Sequence, residues 1–375
     1  NTEYTQIRVV LSGRFYLSES FVLEKQDSGT DGCPIIWMGG ETGAVITGAV
    51  EIPRSAFTSV TDDPFAQHFN VEIRDKILTA DLKKFGADTS SVSFGEYTPG
   101  KILSMNSLFC DDTRLELARY PDNEFASIIN PINIGGNDWT IGYSPEHNAR
   151  IGTWDEADTV YSFAYPAVLW GADFGRIKSF DIANSSFDIT TYDSRAAADN
   201  MPFYWYNVPE ELTVPGEYYI TEDAVVYYYP LTDDDWTLTY PVFRSCLFTA
   251  DADFITLKNI SFEDCADCAF KINGDSVTVD SCSVRRSCGF ETASISGSRL
   301  TVKDSEFCSM AFRGLTVKSG DANTLTDSGS VITNNYFHDF SQSRSTYCSA
   351  LDISGCGITV SHNEFAYSNH QALSL

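Results

Sequence analysis

The chain is poor in basic residues: 25 lysines and arginines stand against 52 aspartates and glutamates, leaving a net charge of −27. A surface of that sign repels phosphate backbones and anionic headgroups, so nucleic acid and the membrane surface are poor partners. Long apolar runs are missing as well. No stretch approaches the roughly 18 to 20 uninterrupted apolar residues that cross a bilayer. The opening Asn1-Thr2-Glu3-Tyr4 has neither the basic nor the apolar region of a signal peptide, so a soluble, mature or trimmed chain is expected. Also lacking are a nucleotide-binding glycine loop, a nucleophile elbow, a haem motif and the paired C-x-x-C modules of a zinc site. No cofactor is expected on those grounds.

What is present is apolar and aromatic enough, at 43% and 13%, for a large packed core. Ten cysteines are dispersed along the chain, with Cys265-Ala-Asp-Cys268 as a single close pair. With the sequons Asn184-Ser-Ser186 and Asn259-Ile-Ser261, they point to an oxidising compartment and a secreted, extracellular glycoprotein. Calcium could be taken by clusters such as Asp233-Asp-Asp235, although the commoner use of such a run is a solvated turn.

The last third of the chain repeats one pattern: apolar, any, apolar, two of any, small or Asn, any, apolar. It reads Ile255, Leu257, Ile260, Phe262; Val277, Val279, Cys282, Val284; Leu300, Val302, Ser305, Phe307; Ser330, Ile332, Asn335, Phe337; and Ile358, Val360, Asn363, Phe365. The starts are separated by 22, 23, 30 and 28 residues, with the variable part in the turns, which is the period of a solenoid. A spacing of two between apolar residues is strand periodicity, and no helical pattern of period 3.6 competes. A second strand recurs in each copy, as in Phe270-Lys-Ile272-Asn-Gly274 and Ala293-Ser-Ile295-Ser-Gly297. The expected fold is all-β, a right-handed parallel β-helix of two or three strands per coil.

Equivalent side chains in such a solenoid stack about 4.8 Å apart, so Asn335 and Asn363 are placed to form an internal hydrogen-bonded ladder. Aligning coils on Gly274 and Gly297 brings Cys265 and Cys288 to equivalent places. A disulfide between adjacent coils is the natural inference, with buried thiols as the alternative. Residues 1–53 read as the first coils and 241–375 as the main ones, expected to continue beyond the given chain. Between them, residues 54–240 lose the period and carry aromatic strands such as Tyr218-Tyr-Ile220 and Val225-Val-Tyr-Tyr-Tyr229, an inserted antiparallel β-rich subdomain.

Asp27-Ser-Gly-Thr-Asp-Gly32, Pro34-Ile-Ile36 and Val45-Ile-Thr-Gly48 resemble the opening of a family of secreted right-handed β-helix proteins, glycoside-hydrolase-like and related to the pectate-lyase solenoids. Further matches are Leu117-Ala-Arg-Tyr-Pro121, Pro215-Gly-Glu-Tyr-Tyr-Ile220, Tyr227-Tyr-Tyr-Pro230 and Asn335-Tyr-Phe-His-Asp339. The resemblance implies a polysaccharide or other glycan as partner, without naming the sugar. A polysaccharide lyase would share the architecture and differ in chemistry.

Glycoside hydrolysis needs two carboxyl groups across a cleft. Asp352, between inward-facing Leu351 and Ile353, is expected to point outward from a strand. Asp321 falls in the long turn after Val317, His338-Asp339 follows Phe337, and His370 precedes the last strand. These are the catalytic candidates, expected to gather in one polar groove of the last three coils, although an outward Asp is more often solvated surface and a turn His more often a hydrogen-bonding one. The chain departs from the family pattern in ending at Leu375, before an Asp-Ala-Gly-type segment, and in carrying Ala366-Tyr367 where a His-Asp pair is expected. Those departures keep open a non-catalytic structural subunit that self-associates into an extracellular filament or wall layer.

Overall fold

The computed structural model describes residues 4–95, 104–154, 159–191 and 196–375, so residues 1–3 of the signal-peptide argument lie outside it. The chain forms two compact units, Asn1–Val50 with Pro241–Leu375, and Glu51–Tyr240.

The first unit is a parallel β-helix with three strand faces, here called A, B and C. Faces A and B meet in the long strand Ile35–Thr47. Its first half pairs in parallel with Ile255–Lys258, which is followed on face A by Thr278–Asp280, Thr301–Lys303, Ser330–Thr333 and Ile358–Ser361. Its second half pairs with Ile260–Cys265, followed on face B by Ser283–Ser287, Glu306–Met310, Tyr336–Phe340 and Glu364–Ser368. Face C is a separate parallel sheet of seven strands: Phe21–Leu23, Phe248–Asp251, Phe270–Asn273, Glu291–Gly297, Arg313–Ser319, Leu351–Gly355 and Leu373–Ser374.

The repeat read from the sequence therefore spans two faces, and one residue makes the corner between them. Asn259, Ser281, Asp304, Asn334 and His362 all sit at this corner with φ between 52° and 56°. The left-handed region costs most L-residues roughly 1–2 kcal/mol, and short polar side chains such as Asn and Asp visit it most readily. The two longer intervals of the repeat are the segments 320–329, between faces C and A, and 341–350, between faces B and C.

Inward side chains of the three faces form one continuous core running from Leu23 to Ile353. Phe307, Phe337 and Phe365 stack through it with ring centroids 4.8 and 5.2 Å apart. Beside them runs the asparagine ladder. Asn335 Nδ2 donates to Asn363 Oδ1 at 2.9 Å and to the Val302 carbonyl at 3.0 Å, while Asn335 Oδ1 accepts from the Ser305 N–H at 3.1 Å. The disulfide between adjacent coils joins Cys246 to Cys268, with Cα atoms 4.5 Å apart. That corrects the expected Cys265–Cys288 bridge. Those two residues do lie in neighbouring coils, where the Cys288 N–H donates to the Cys265 carbonyl at 2.8 Å, but Cys265 is a buried thiol turned into the core.

The second unit is built mainly from antiparallel strands, with Glu116–Leu117 joining Glu217–Ile220 in parallel. Its largest sheet runs Arg119–Tyr120, Pro202–Tyr206, Tyr161–Ala164, Asp173–Asp181, Ser186–Thr191, Asp138–Gly142 and Ile129–Gly135, with Ala126–Ser127 also on Pro202–Tyr206. Trp139, Trp154, Phe187, Phe203 and Trp205 pack its core. The aromatic strands Glu217–Ile220 and Val225–Tyr228 pair antiparallel in a second sheet, Tyr218 opposite Tyr228.

Candidate active site

The outer side of face C carries a groove of about 830 Å³ lined from the strand Phe21–Leu23 to Lys318. It crosses five coils, about 19 Å at the strand spacing of a sheet. Because side chains alternate along each strand and coils stack in register, the outward positions form rows. One row is Val22, Thr249, Lys271, Ser294, Thr316, Asp352 and Ser374. The next is Asp251, Asn273, Ser296, Lys318 and Ser354. Hydrogen bonds tie this second row together, Asn273 Nδ2 to Asp251 at 3.2 Å and Ser296 Oγ to Asn273 Oδ1 at 3.1 Å.

Glycine closes the strands of face C where the coils approach most tightly. A Cβ on Gly297 would lie 2.0 Å from the Gly274 carbonyl and one on Gly355 1.8 Å from that of Ser319, both at φ values that favour glycine.

Charge in the groove is balanced. Lys25, Lys271 and Lys318 face Glu24, Asp251 and Glu291 along its walls. In a molecule of net charge −27 that is a local relief from the acidic field. At the rim, Lys25 Nζ is 2.8 Å from Asp253, and this hydrogen bond holds the Asp253 carboxyl below its ordinary range.

Glu291, on the groove wall, has a second acid, Asp267, nearby. Burial holds the Asp267 carboxyl above its usual range; the Lys271 and Arg244 charges oppose that shift and the nearby Glu291 carboxylate adds to it. Glu291 pairs across the sheet with Arg313. The Arg313 guanidinium lies 5.0 Å from the Phe290 ring centre and 3.5 Å from Asp352. The site thus offers a carboxyl whose pKa burial shifts upward, near a second acid, the kind of pairing that acid–base cleavage uses.

The expected site residues fall in three places. Asp352 and His370 belong to one polar chain: Asp352 meets Arg313, Arg313 Nε donates to the Tyr347 carbonyl at 3.3 Å, and the Tyr347 N–H meets His370 Nδ1 at 3.3 Å. Asp321 lies beyond the far end of the strand Arg313–Ser319. Its carboxylate accepts from the backbone N–H groups of Asn323 and Thr324, which lower its pKa and fix the turn. His338 and Asp339 are on face B, with Asp339 Oδ2 2.6 Å from His338 Nδ1. Asn184 and Asn259 are exposed, their side-chain amides donating to Asp181 and to the Gly40 carbonyl. Asp233, Asp234 and Asp235 form an exposed turn.

Sequence reasoning missed Asp267, Lys271, Glu291 and Arg313. The available signal was the coil alignment itself, which puts Lys271 and Ser294 at one outward position and Glu291 two residues before Ala293. Among solved structures, one described as a glycoside hydrolase superposes with a TM-score of 0.72 at 16% sequence identity, over 99% of this chain and 72% of its own. That is a likeness of fold. No family model matches the sequence, and no curated protein sequence matches it.

Proposed function

We propose that this chain is a secreted, carbohydrate-active β-helix protein that holds an extracellular polysaccharide along the face C groove and hydrolyses it, with Asp267 and Glu291 as its pair of carboxyl groups. The observation that carries this reading is the long, charge-balanced groove along stacked coils, with Glu291 on its wall and a second acid, Asp267, near enough to Glu291 to feel its charge. Rows of hydroxyl, amide and lysine side chains suit a ligand made of repeated hydroxylated units, and the likeness to a solved glycoside hydrolase agrees with it. Asp352, held by Arg313 one coil beyond Thr316, would contact the same glycan.

The test is a panel of neutral and acidic polysaccharides, with reducing-end release for cleavage and gel retardation for binding. Asp267→Asn and Glu291→Gln are each expected to lower cleavage by about 100-fold or more while retardation persists. Asp321→Asn should cleave like the parent. Products absorbing in the ultraviolet would instead identify a lyase, and neither retardation nor cleavage on any glycan would overturn the reading. Loss of mass on enzymatic deglycosylation of material from the native source would support secretion and glycans at Asn184 or Asn259.

A further inference from the structure

We infer that face B carries a binding site for a thiophilic divalent cation of the zinc class, formed by Glu306, Cys308 and His338. The donor atoms of these three residues all lie within 4.8 Å of one another. The solenoid explains why they meet: Glu306 and Cys308 are two apart on one strand and so share a side, and Cys308 pairs directly with His338 on the next coil.

The ring of His338 is held from two sides. The Tyr336 ring stacks on it at 4.1 Å, and the Asp339 carboxylate lies 2.6 Å from Nδ1. A proton on Nδ1 shared with Asp339 leaves the lone pair on Nε2, and Nε2 is 3.4 Å from Glu306 Oε1. In that tautomer both atoms are acceptors, and with the Cys308 thiol alongside they are arranged as they would be around a cation. A carboxylate behind the distal nitrogen is the usual orienting partner of a metal-bound histidine. Asp339 can reach back because it occupies a left-handed corner, φ 49°, equivalent to those of Asp264, Arg286 and Ser309 in earlier coils.

Charge and softness select the ion. Glu306, a thiolate and Asp339 together outweigh Arg285, which is 2.9 Å from Glu306 Oε2, so a divalent cation is favoured. Sulfur and imidazole ligands suit zinc, cobalt or copper and disfavour calcium and magnesium. Zinc bond lengths require donors about 3.4 Å apart in a tetrahedron, so binding asks for a closure of up to about 1.4 Å. Three protein ligands leave a fourth position, and the partial exposure of Glu306 and His338 opens it to solvent. On binding, the Cys308 thiol releases its proton to solvent as the metal–sulfur bond forms.

Cobalt(II) titration of the chelator-treated full chain tests this, because a thiolate ligand gives a near-ultraviolet charge-transfer band and tetrahedral geometry gives intense visible bands. The expected result is one equivalent of cobalt bound with both signatures, displaced by zinc. Cys308→Ser should abolish the charge-transfer band. Asp339→Asn should keep it while weakening affinity about 10- to 100-fold. His338→Gln, a partly exposed change, serves if the cysteine variant does not fold, and should lose saturable uptake. Absence of one-equivalent uptake would mean that Glu306, Cys308 and His338 form no metal site. Bands that persist in both variants would place the metal elsewhere; either outcome overturns the inference.

Discussion

Asn335→Ala should cost the β-helix about 4 to 6 kcal/mol. Asn335 is buried, at 2% exposure, and its amide makes the hydrogen bonds to Asn363, Val302 and Ser305 described above. Each is worth about 1 kcal/mol net, and a buried donor left without an acceptor adds about 1–3 kcal/mol. The Ser305 N–H is such a donor, since Ser305 is itself buried. Asn363→Ala deletes the next rung, where the side chain is only half-buried, so water can replace the lost partners and the loss should be nearer 1–2 kcal/mol. Because the chain has two compact units, a global midpoint would mix their unfolding. Hydrogen exchange read by mass spectrometry on peptides covering 300–310 and 330–340 isolates the ladder. Protection at those peptides unchanged in Asn335→Ala, or a loss no larger than that of Asn363→Ala, would refute the claim that buried amide stacking holds these coils.

Ser281 is exposed at the A–B corner with φ 54°, so Ser281→Val should destabilise by about 1–2 kcal/mol while Ser281→Asn stays near neutral; equal hydrogen-exchange protection of peptides covering 277–287 in the two variants would remove the corner argument. In the other unit, burial raises the Glu217 carboxyl to about 8, against the N–H groups of Thr213 and Val214, which favour its charged form. The folded state then keeps a proton that the unfolded chain has lost between about pH 4.5 and 8. Stability contributed by this group is complete below that window and falls across it as pH rises, by at most about 1.4 kcal/mol per pH unit. Glu217→Gln, neutral throughout, should flatten the fall, and an unchanged slope at pH 5, 6.5 and 8 in urea melts followed by tryptophan fluorescence, which reports mainly on this unit because it holds all the tryptophans but Trp37, would show that Glu217 does not titrate there.

The parallel solenoid was legible because its signal is written several times: Ile255 and Leu257, Val277 and Val279, Leu300 and Val302 return at the same offsets, and each copy supports the others. Even the polar exceptions fit, since Ser330 at a core position accepts from the Leu300 N–H at 2.9 Å and meets Ser319 Oγ at 2.7 Å. The corner inside each repeat was hidden because left-handed backbone leaves only a mild preference for Asn, Asp and Ser, spread here over five different coils. The disulfide was misassigned for a related reason. Alignment on Gly274 and Gly297 equates the right coils but says nothing of which way a thiol points, and Cys246 precedes the first copy of the repeat, so its stacking on Cys268 had no template.

The candidate site was harder still. A solenoid groove consists of one register position sampled from many coils, so Lys271, Ser294 and Asp352 are each ordinary surface residues in their own strands and acquire meaning only when stacked. Asp267 and Glu291 lie where one face turns into the next, the part of each coil whose length and course the repeat does not specify. The feature that sets Asp267 apart is its partly buried place among charges such as Arg244 and Glu291, which lie outside its own coil and which no motif along the chain records. Catalytic candidates in a β-helix are therefore better sought by aligning coils first and reading down the columns than by reading motifs along the chain.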